Sequence, residues 1–194
     1  MSPPSDRDVL TIKRIVRVNH AGEFGAIRIY SAQILVARWL CPDTVPKLSE
    51  MLGHEREHCK LFFAAMPARG SRPCHVMQFW SWGGWLLGFL TALMGRQGVW
   101  ACTAAVEQTV HHHLDDQMFF LNVRDPDLHS LIESIRAEEL AHLQHAEQHL
   151  AKGSRVHGFL RAMIGVATGV LIWLSTWGDS SRMARALRQA RLSA

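Results

Sequence analysis

The sequence predicts an all-α fold: a four-helix bundle built from two repeated helical hairpins, plus two extra apolar helices that face a membrane. Three observations predict it. No stretch alternates apolar and polar with period two for long, and no Asn-Gly or Asp-Gly hairpin signal occurs. Turn-forming clusters cut the chain into segments of helical length. One pattern of acidic residues and histidines occurs twice at a fixed offset.

The elements follow from the punctuation. Breaks fall at "CPDTVP" (41–46), "MPARGSRP" (66–73), "GRQG" (95–98), "KGS" (152–154) and "GDSS" (178–181). Asp125-Pro126 reads as an N-cap followed by proline at the first helical position. Bundle helices are therefore expected over about 10–39, 47–65, 98–123 and 126–151, and apolar helices over about 79–94 and 158–177, all in one domain of residues 1–194. A short basic helix is expected from about 181. The uncharged cores 79–94 and 162–177 hold 16 residues each. As helices they reach about 24 Å, short of the ~30 Å hydrocarbon core of a bilayer.

Composition narrows the class. A chain of 194 residues with 48% apolar content can bury a real core. Net charge is only +4 and no dense Lys/Arg block precedes Arg182, which argues against nucleic acid. Cys41, Cys59, Cys74 and Cys102 form no CxxC pair or zinc spacing, as expected of reduced thiols in a reducing compartment. "MSPPSDRDVL" has no apolar targeting region, so a bacterial cytoplasmic chain or an already processed one is expected.

The repeat carries the chemistry. "HEREHCKLF" holds Glu55 and His58, and "RAEELAHLQH" holds Glu139 and His142; 139 − 55 and 142 − 58 are both 84. A lone glutamate precedes each ExxH by the same distance, since 55 − 23 and 139 − 107 are both 32. An uncharged segment then follows each ExxH helix. A single ExxH is usually a surface pair, but two in register with two lone glutamates are not. The offset selects Glu139 over Glu138, which becomes a neighbour on the exposed side. Two such hairpins face to face put four carboxylates and two imidazoles at one level, the rule for ferritin-like di-iron proteins. Four carboxylates offset the charge of two ferrous ions, one imidazole per metal leaves open positions, and the mixed N/O set suits iron or manganese. His111 stands four residues after Glu107, on its face; one of His111, His112 and His113 orients a ligand or meets the substrate, or the three belong to a solvated face. His112 and His113 point progressively away, and His20, His54, His145 and His149 read as flank or rim.

"RVNHAGEFGAIRIY", "EREHCKLF", "ACTAAVEQTVHHHLDDQ" and "EELAHLQHA" closely resemble the demethoxyubiquinone hydroxylases of ubiquinone biosynthesis, over about residues 10–178. The resemblance carries that family's iron ligands onto Glu23, Glu55, His58, Glu107, Glu139 and His142, the same six, as a centre of two iron ions per chain. It implies a di-iron monooxygenase that uses O₂ to hydroxylate the benzoquinol ring of a polyprenylated demethoxyubiquinol. It also implies a peripheral membrane position, here the cytoplasmic face of a bacterial inner membrane. Some relatives carry Tyr where this chain has Leu114, after the pair matching His112-His113. The alternative is a ferritin-like iron oxidation or storage protein, which has no use for two uncharged helices. The electron donor is not legible, because no GxGxxG follows a strand. Oligomeric state stays open between a monomer, a homo-oligomer and a complex with a ubiquinone-biosynthesis partner.

The membrane expectation rests on further residues. Trp80, Trp82 and Trp85 crowd one apolar segment, and Trp173 and Trp177 end the other. Gly84/Gly88 and Gly165/Gly169 form small-xxx-small pairs that permit close helix contact. Arg182, Arg185, Arg188 and Arg191 form a basic stripe suited to anionic headgroups. The competing reading is a buried helix pair with a solvated tail.

Overall fold

The computed structural model describes residues 5–151 and 153–193. They form seven α-helices: α1 (Asp6–Leu40), α2 (Val45–Ala65), α3 (Met77–Leu93), α4 (Gly95–Leu121), α5 (Pro126–His149), α6 (Arg155–Ser175) and α7 (Asp179–Leu192). Among the described residues there is no strand. Part of the break expected at 152–154, Lys152, lies outside them.

Local chemistry explains where the helix ends moved. α1 starts four residues early because Ser5 and Asp8 form a capping box, each side chain serving the other's backbone N–H. α4 starts at Gly95, whose φ of +72° makes the turn from α3 alone. Gly98 then lies inside the helix, against the Thr91 carbonyl. α5 stops at His149 because Gln97 takes over its end: Gln97 Nε2 donates to the His149 carbonyl, and the Ala151 N–H donates to Gln97 Oε1. Asp125 caps α5 as expected, accepting from the Leu128 N–H, and the Arg69 guanidinium grips both its oxygens at 2.6 and 2.7 Å.

The core divides into two apolar clusters, and their membership gives the topology. One contains Ile12, Ile15 and Val16 of α1, Phe62 of α2, Leu114 and Leu121 of α4, and Leu128 and Ile132 of α5. The other contains Ile34 and Ala37 of α1, Leu48 and Met51 of α2, Val99 and Trp100 of α4, and Ala146 of α5. Thus α1 and α5 run one way, α2 and α4 the other. α3 carries the chain back from the end of α2 to the start of α4. The buried polar residues Glu23, Glu55, Glu107 and Glu139 fall between the two clusters on all four helices.

α3 lies on α1 and α6 on α4, so the two halves repeat in space as they do in sequence. The contacts differ. In the first half the Gly84 backbone approaches the Gly25 carbonyl and Gly88 approaches the Ile29 backbone, as the glycine spacing predicts. In the second half Gly169 has nothing within 4 Å of a built Cβ, and Gly165 meets only Thr109, so the matching pair makes no such seam. α6 also starts and ends a few residues earlier than expected. Ser154 accepts from the His157 N–H and starts the helix at Arg155, giving 21 residues, about 31 Å. By length and mean hydropathy (1.6) it could cross a bilayer, which corrects the expectation that this segment is too short.

The C-terminal helix is docked, not free. Asp179 is buried and bonded by Arg7, Arg14 and the Thr11 hydroxyl of α1. Arg182 donates to Thr11 and lies over the Phe120 ring. Part of the expected headgroup stripe is therefore engaged within the protein.

Candidate metal centre

The 32-residue and 84-residue spacings put the six expected residues at one height, and the fold closes them on each other. Glu23 comes from α1, Glu55 and His58 from α2, Glu107 from α4, and Glu139 and His142 from α5; none is more than 6% exposed. Their donor atoms form two overlapping quartets, Glu23–Glu55–His58–Glu139 and Glu55–Glu107–Glu139–His142, each within 4.8 Å. Glu55 and Glu139 belong to both. Glu23 with His58, and Glu107 with His142, stand at the two ends.

Distances within the cluster are short. His58 Nδ1 is 3.0 Å from Glu139 Oε1 and 3.9 Å from Glu23 Oε2. His142 Nδ1 is 3.4 Å from Glu55 Oε1 and 3.7 Å from Glu139 Oε2. Yet His58 Nδ1, His142 Nδ1, Glu55 Oε1 and Glu139 Oε1 are buried without an aligned hydrogen bond. Buried polar atoms that converge without partners need a ligand. A cation fits this donor set, and carboxylates with imidazoles suit iron or manganese. Cys59, next to His58, is no part of it: its thiol faces the His20 carbonyl.

Electrostatics agree. Four buried carboxylates cannot all hold charge side by side. Burial raises Glu23 and Glu107 well above the usual carboxylate range, and the neighbouring carboxylates add to it. Burial opposes ionisation of Glu139 as well, but the imidazoles of His142 and His58 outweigh it and hold Glu139 low. The same contacts overcome burial to raise His58, and to raise His142 to about 9. Protons here occupy places that divalent cations would take on binding.

The structure adds residues the spacing did not single out. Tyr30, the only tyrosine of the chain, is buried and donates a short hydrogen bond to Glu107. Its signal was legible: it stands seven residues after Glu23, two turns along the same face. His54 stays at the rim, its side chain 37% exposed, yet its Nδ1 lies 2.9 Å from His142 Nε2. Glu138 is half exposed as expected, but its Oε2 sits 3.3 Å from His58 Nε2, so it is not a bystander. His111 turns toward Asp115, which Arg136 also binds. Of the three histidines His111–His113, His113 is the one that lines a cavity. His145 and His149 stack on each other beside Trp100, outside the six.

That cavity, about 440 Å³, opens onto Glu23, Glu55, Glu107 and Glu139 from the side of α3 and α6. Its walls are mostly apolar, including Ile29, Trp80, Leu87, Leu114 and Ile164. Its polar features besides the carboxylates include His113 and the amides of Asn19 and Gln117, which bond each other reciprocally at 2.7 and 2.9 Å. The volume suits a small-molecule site.

The family model for ubiquinone biosynthesis protein COQ7 matches residues 10–175. The chain is 38% identical over 169 residues to the Homo sapiens protein named NADPH-dependent 3-demethoxyubiquinone 3-hydroxylase, mitochondrial, covering 84% of this chain and 76% of that one. It is 33% identical over 164 residues to the Rhodospirillum rubrum protein named 3-demethoxyubiquinol 3-hydroxylase, covering 84% and 77%. The Saccharomyces cerevisiae 5-demethoxyubiquinone hydroxylase is 31% identical over 160 residues, covering 75% and 69%.

Proposed function

Since the chain belongs to the COQ7 family of ubiquinone biosynthesis proteins, we propose that it is a di-iron monooxygenase that uses O₂ to hydroxylate the benzoquinol ring of a polyprenylated demethoxyubiquinol. One observation carries the reading: two overlapping quartets of buried donors open directly into an apolar cavity. Glu23 and His58 would hold one iron, Glu107 and His142 the other, with Glu55 and Glu139 shared. Bound there, ferrous iron supplies the electrons that activate O₂ for insertion of one oxygen atom into an electron-rich ring. The helix directions, with one long crossover through α3, support a ferritin-like bundle, and we treat the whole chain as one such domain.

The protein's own groups position the ring. The apolar walls exclude water and accept an isoprenoid tail. Asn19, Gln117 and His113 offer the polar contacts a quinol hydroxyl needs. Burial holds His113 below the usual imidazole range, so it meets the ring as a neutral acceptor or donor.

A membrane surface is the natural source of such a substrate. α3 exposes Phe79, Trp82, Leu86, Leu90 and Leu93, while α6 exposes Phe159, Met163, Val166 and Val170, with Trp177 in the turn just past its end. Both stripes flank the cavity, and a contiguous exposed apolar surface of this kind marks an interaction site. α6 lies along α4, and Arg161 near its start is held by Glu147 of α5 and by Gln108. These contacts favour a helix lying on a membrane surface over one that crosses it, and we take that surface to be the cytoplasmic face of the bacterial inner membrane. Iron storage has neither the relatives' names nor a use for these stripes in its favour.

The test is anaerobic reconstitution with Fe(II), then ¹⁸O₂ and a short-tailed demethoxyquinol. Product one labelled oxygen heavier is expected, with iron saturating near two per chain. Label arriving only from water, or iron accumulating far beyond two, would reject the reading.

A further inference from the structure

The surroundings of the two imidazoles are crossed and unequal. His54 of α2 serves His142 of α5, and Glu138 of α5 serves His58 of α2. The repeat explains the crossing, since 54 + 84 is 138 and both residues immediately precede a cluster glutamate. Both imidazoles turn Nδ1 toward the carboxylates. A ring that ligates through Nδ1 must carry its proton on Nε2, so each outer partner must accept. The partner of His58 is a carboxylate at 3.3 Å; that of His142 is an imidazole nitrogen at 2.9 Å, which itself lies 3.6 Å from the same Glu138 carboxylate and so meets the charge only at second hand. A carboxylate acceptor makes the ring a stronger donor to metal than a neutral one does, and a charge-assisted bond is about twice as strong as a neutral one.

The terminal carboxylates differ in the same sense. Tyr30 donates to Glu107 and draws charge from it. The repeat counterpart of Tyr30 is position 114, where this chain has buried Leu114, and no hydroxyl donates to Glu23 among the described residues. Both differences enrich the Glu23–His58 end and deplete the Glu107–His142 end.

From these we infer that the two metal positions are unequal: the position held by Glu23 and His58 fills first and binds more tightly, with Glu138 and His54 as positioning residues that set the difference. The inference rests on the metal-centre reading above. Removing an outer partner typically changes metal affinity by about 10–100-fold; both imidazoles keep a partner here, so the two steps should differ by the low end of that range, ~10-fold.

The probe is Co(II), titrated anaerobically into the full apo-chain and followed by its visible absorption. Wild type should bind two equivalents in two resolved steps. Glu138→Gln keeps an acceptor but loses the charge, so it should weaken the first step by ~10-fold and bring the steps together. His54→Ala should weaken the second step and widen the gap. Both residues are partly exposed, so each variant should fold, as circular dichroism of the apo-chain checks. Two steps of equal affinity in wild type, or a Glu138→Gln variant with the gap unchanged, would overturn the inference alone. No Co(II) uptake at all would overturn the metal-centre reading and take the inference with it.

Discussion

Replacing Gly84 by Ala should separate α3 from α1. A Cβ at residue 84 would lie 2.5 Å from the Gly25 carbonyl oxygen and 3.3 Å from both the Gly25 carbonyl carbon and Arg28 Cβ. Ordinary contact begins near 3.4 Å, so α3 must retreat by 3.4 − 2.5, about 0.9 Å. The obstacle is helical backbone, which cannot swing aside as a side chain can. Overpacking of this kind costs about 1–3 kcal/mol. Glycine to alanine in a helix returns about 1 kcal/mol where nothing obstructs it. Gly169 supplies that control, because nothing lies within 4 Å of its built Cβ. Gly169→Ala should therefore be neutral to stabilising, while Gly84→Ala should lie about 2 kcal/mol below it, or ~4–8 °C for a chain of this size. Gly84 also lines the cavity, so the same shift should raise the KM for the quinol. The assay is thermal unfolding of both variants in one mild detergent, with initial-rate kinetics alongside. Equal melting temperatures would refute the backbone seam, whatever the kinetics show.

Four further outcomes are expected. Burial, with Asp115 beside it, raises Asp116 from 3.8 to about 6. A raised carboxylate contributes stability in full below 3.8 and loses it as pH rises through 6, so Asp116→Asn should stabilise at pH 7.5 and not at pH 3.5. At 1.36 kcal/mol per pH unit the ceiling is ~3 kcal/mol, and solvent screening of this half-exposed group reduces it to about 1; an equal effect at both pH values would contradict the reasoning. Tyr30→Phe removes the donor to Glu107 and should alter the second Co(II) step while leaving the first, as read by the same titration. Asp179→Ala removes the acceptor of Thr11 and of Arg7 and Arg14, cations that solvent still reaches, and should cost about 1.5–3 kcal/mol, releasing α7 to proteolysis before the other helices; an intact α7 at matched protease exposure would count against its docking. Trp80 abuts Gly25 and Trp85 stacks on Phe89, so the membrane test belongs at the exposed Phe79, Trp82 and Trp177. Their joint replacement by Ser should abolish flotation with anionic vesicles at any salt, and flotation of the triple variant equal to wild type would reject α3 and α6 as the contact.

Sequence by itself determined the helical class, the two halves and the six cluster residues. It could do so because a helix converts spacing into facing, and because one pattern occurred twice in register. Glu139 was separated from Glu138 by arithmetic alone, without any contact being known. Sequence also showed Asp125-Pro126 as a helix start, since capping is local chemistry. What tertiary structure alone decided lies wherever two helices distant in the chain meet. Glu138 reaches His58, and His54 reaches His142, only because α2 and α5 lie side by side with their registers set by apolar clusters at both ends. Tyr30 finds Glu107 across the α1–α4 contact. Identical glycine spacings in α3 and α6 gave one close seam and one open face, because only α3 is laid against helical backbone at those positions. The C-terminal arginines looked like a free basic stripe until Asp179, an acid buried by α1 side chains, tied their helix to the bundle. Periodicity records which face of a helix is apolar or charged; which partner that face meets depends on the packing of the whole chain.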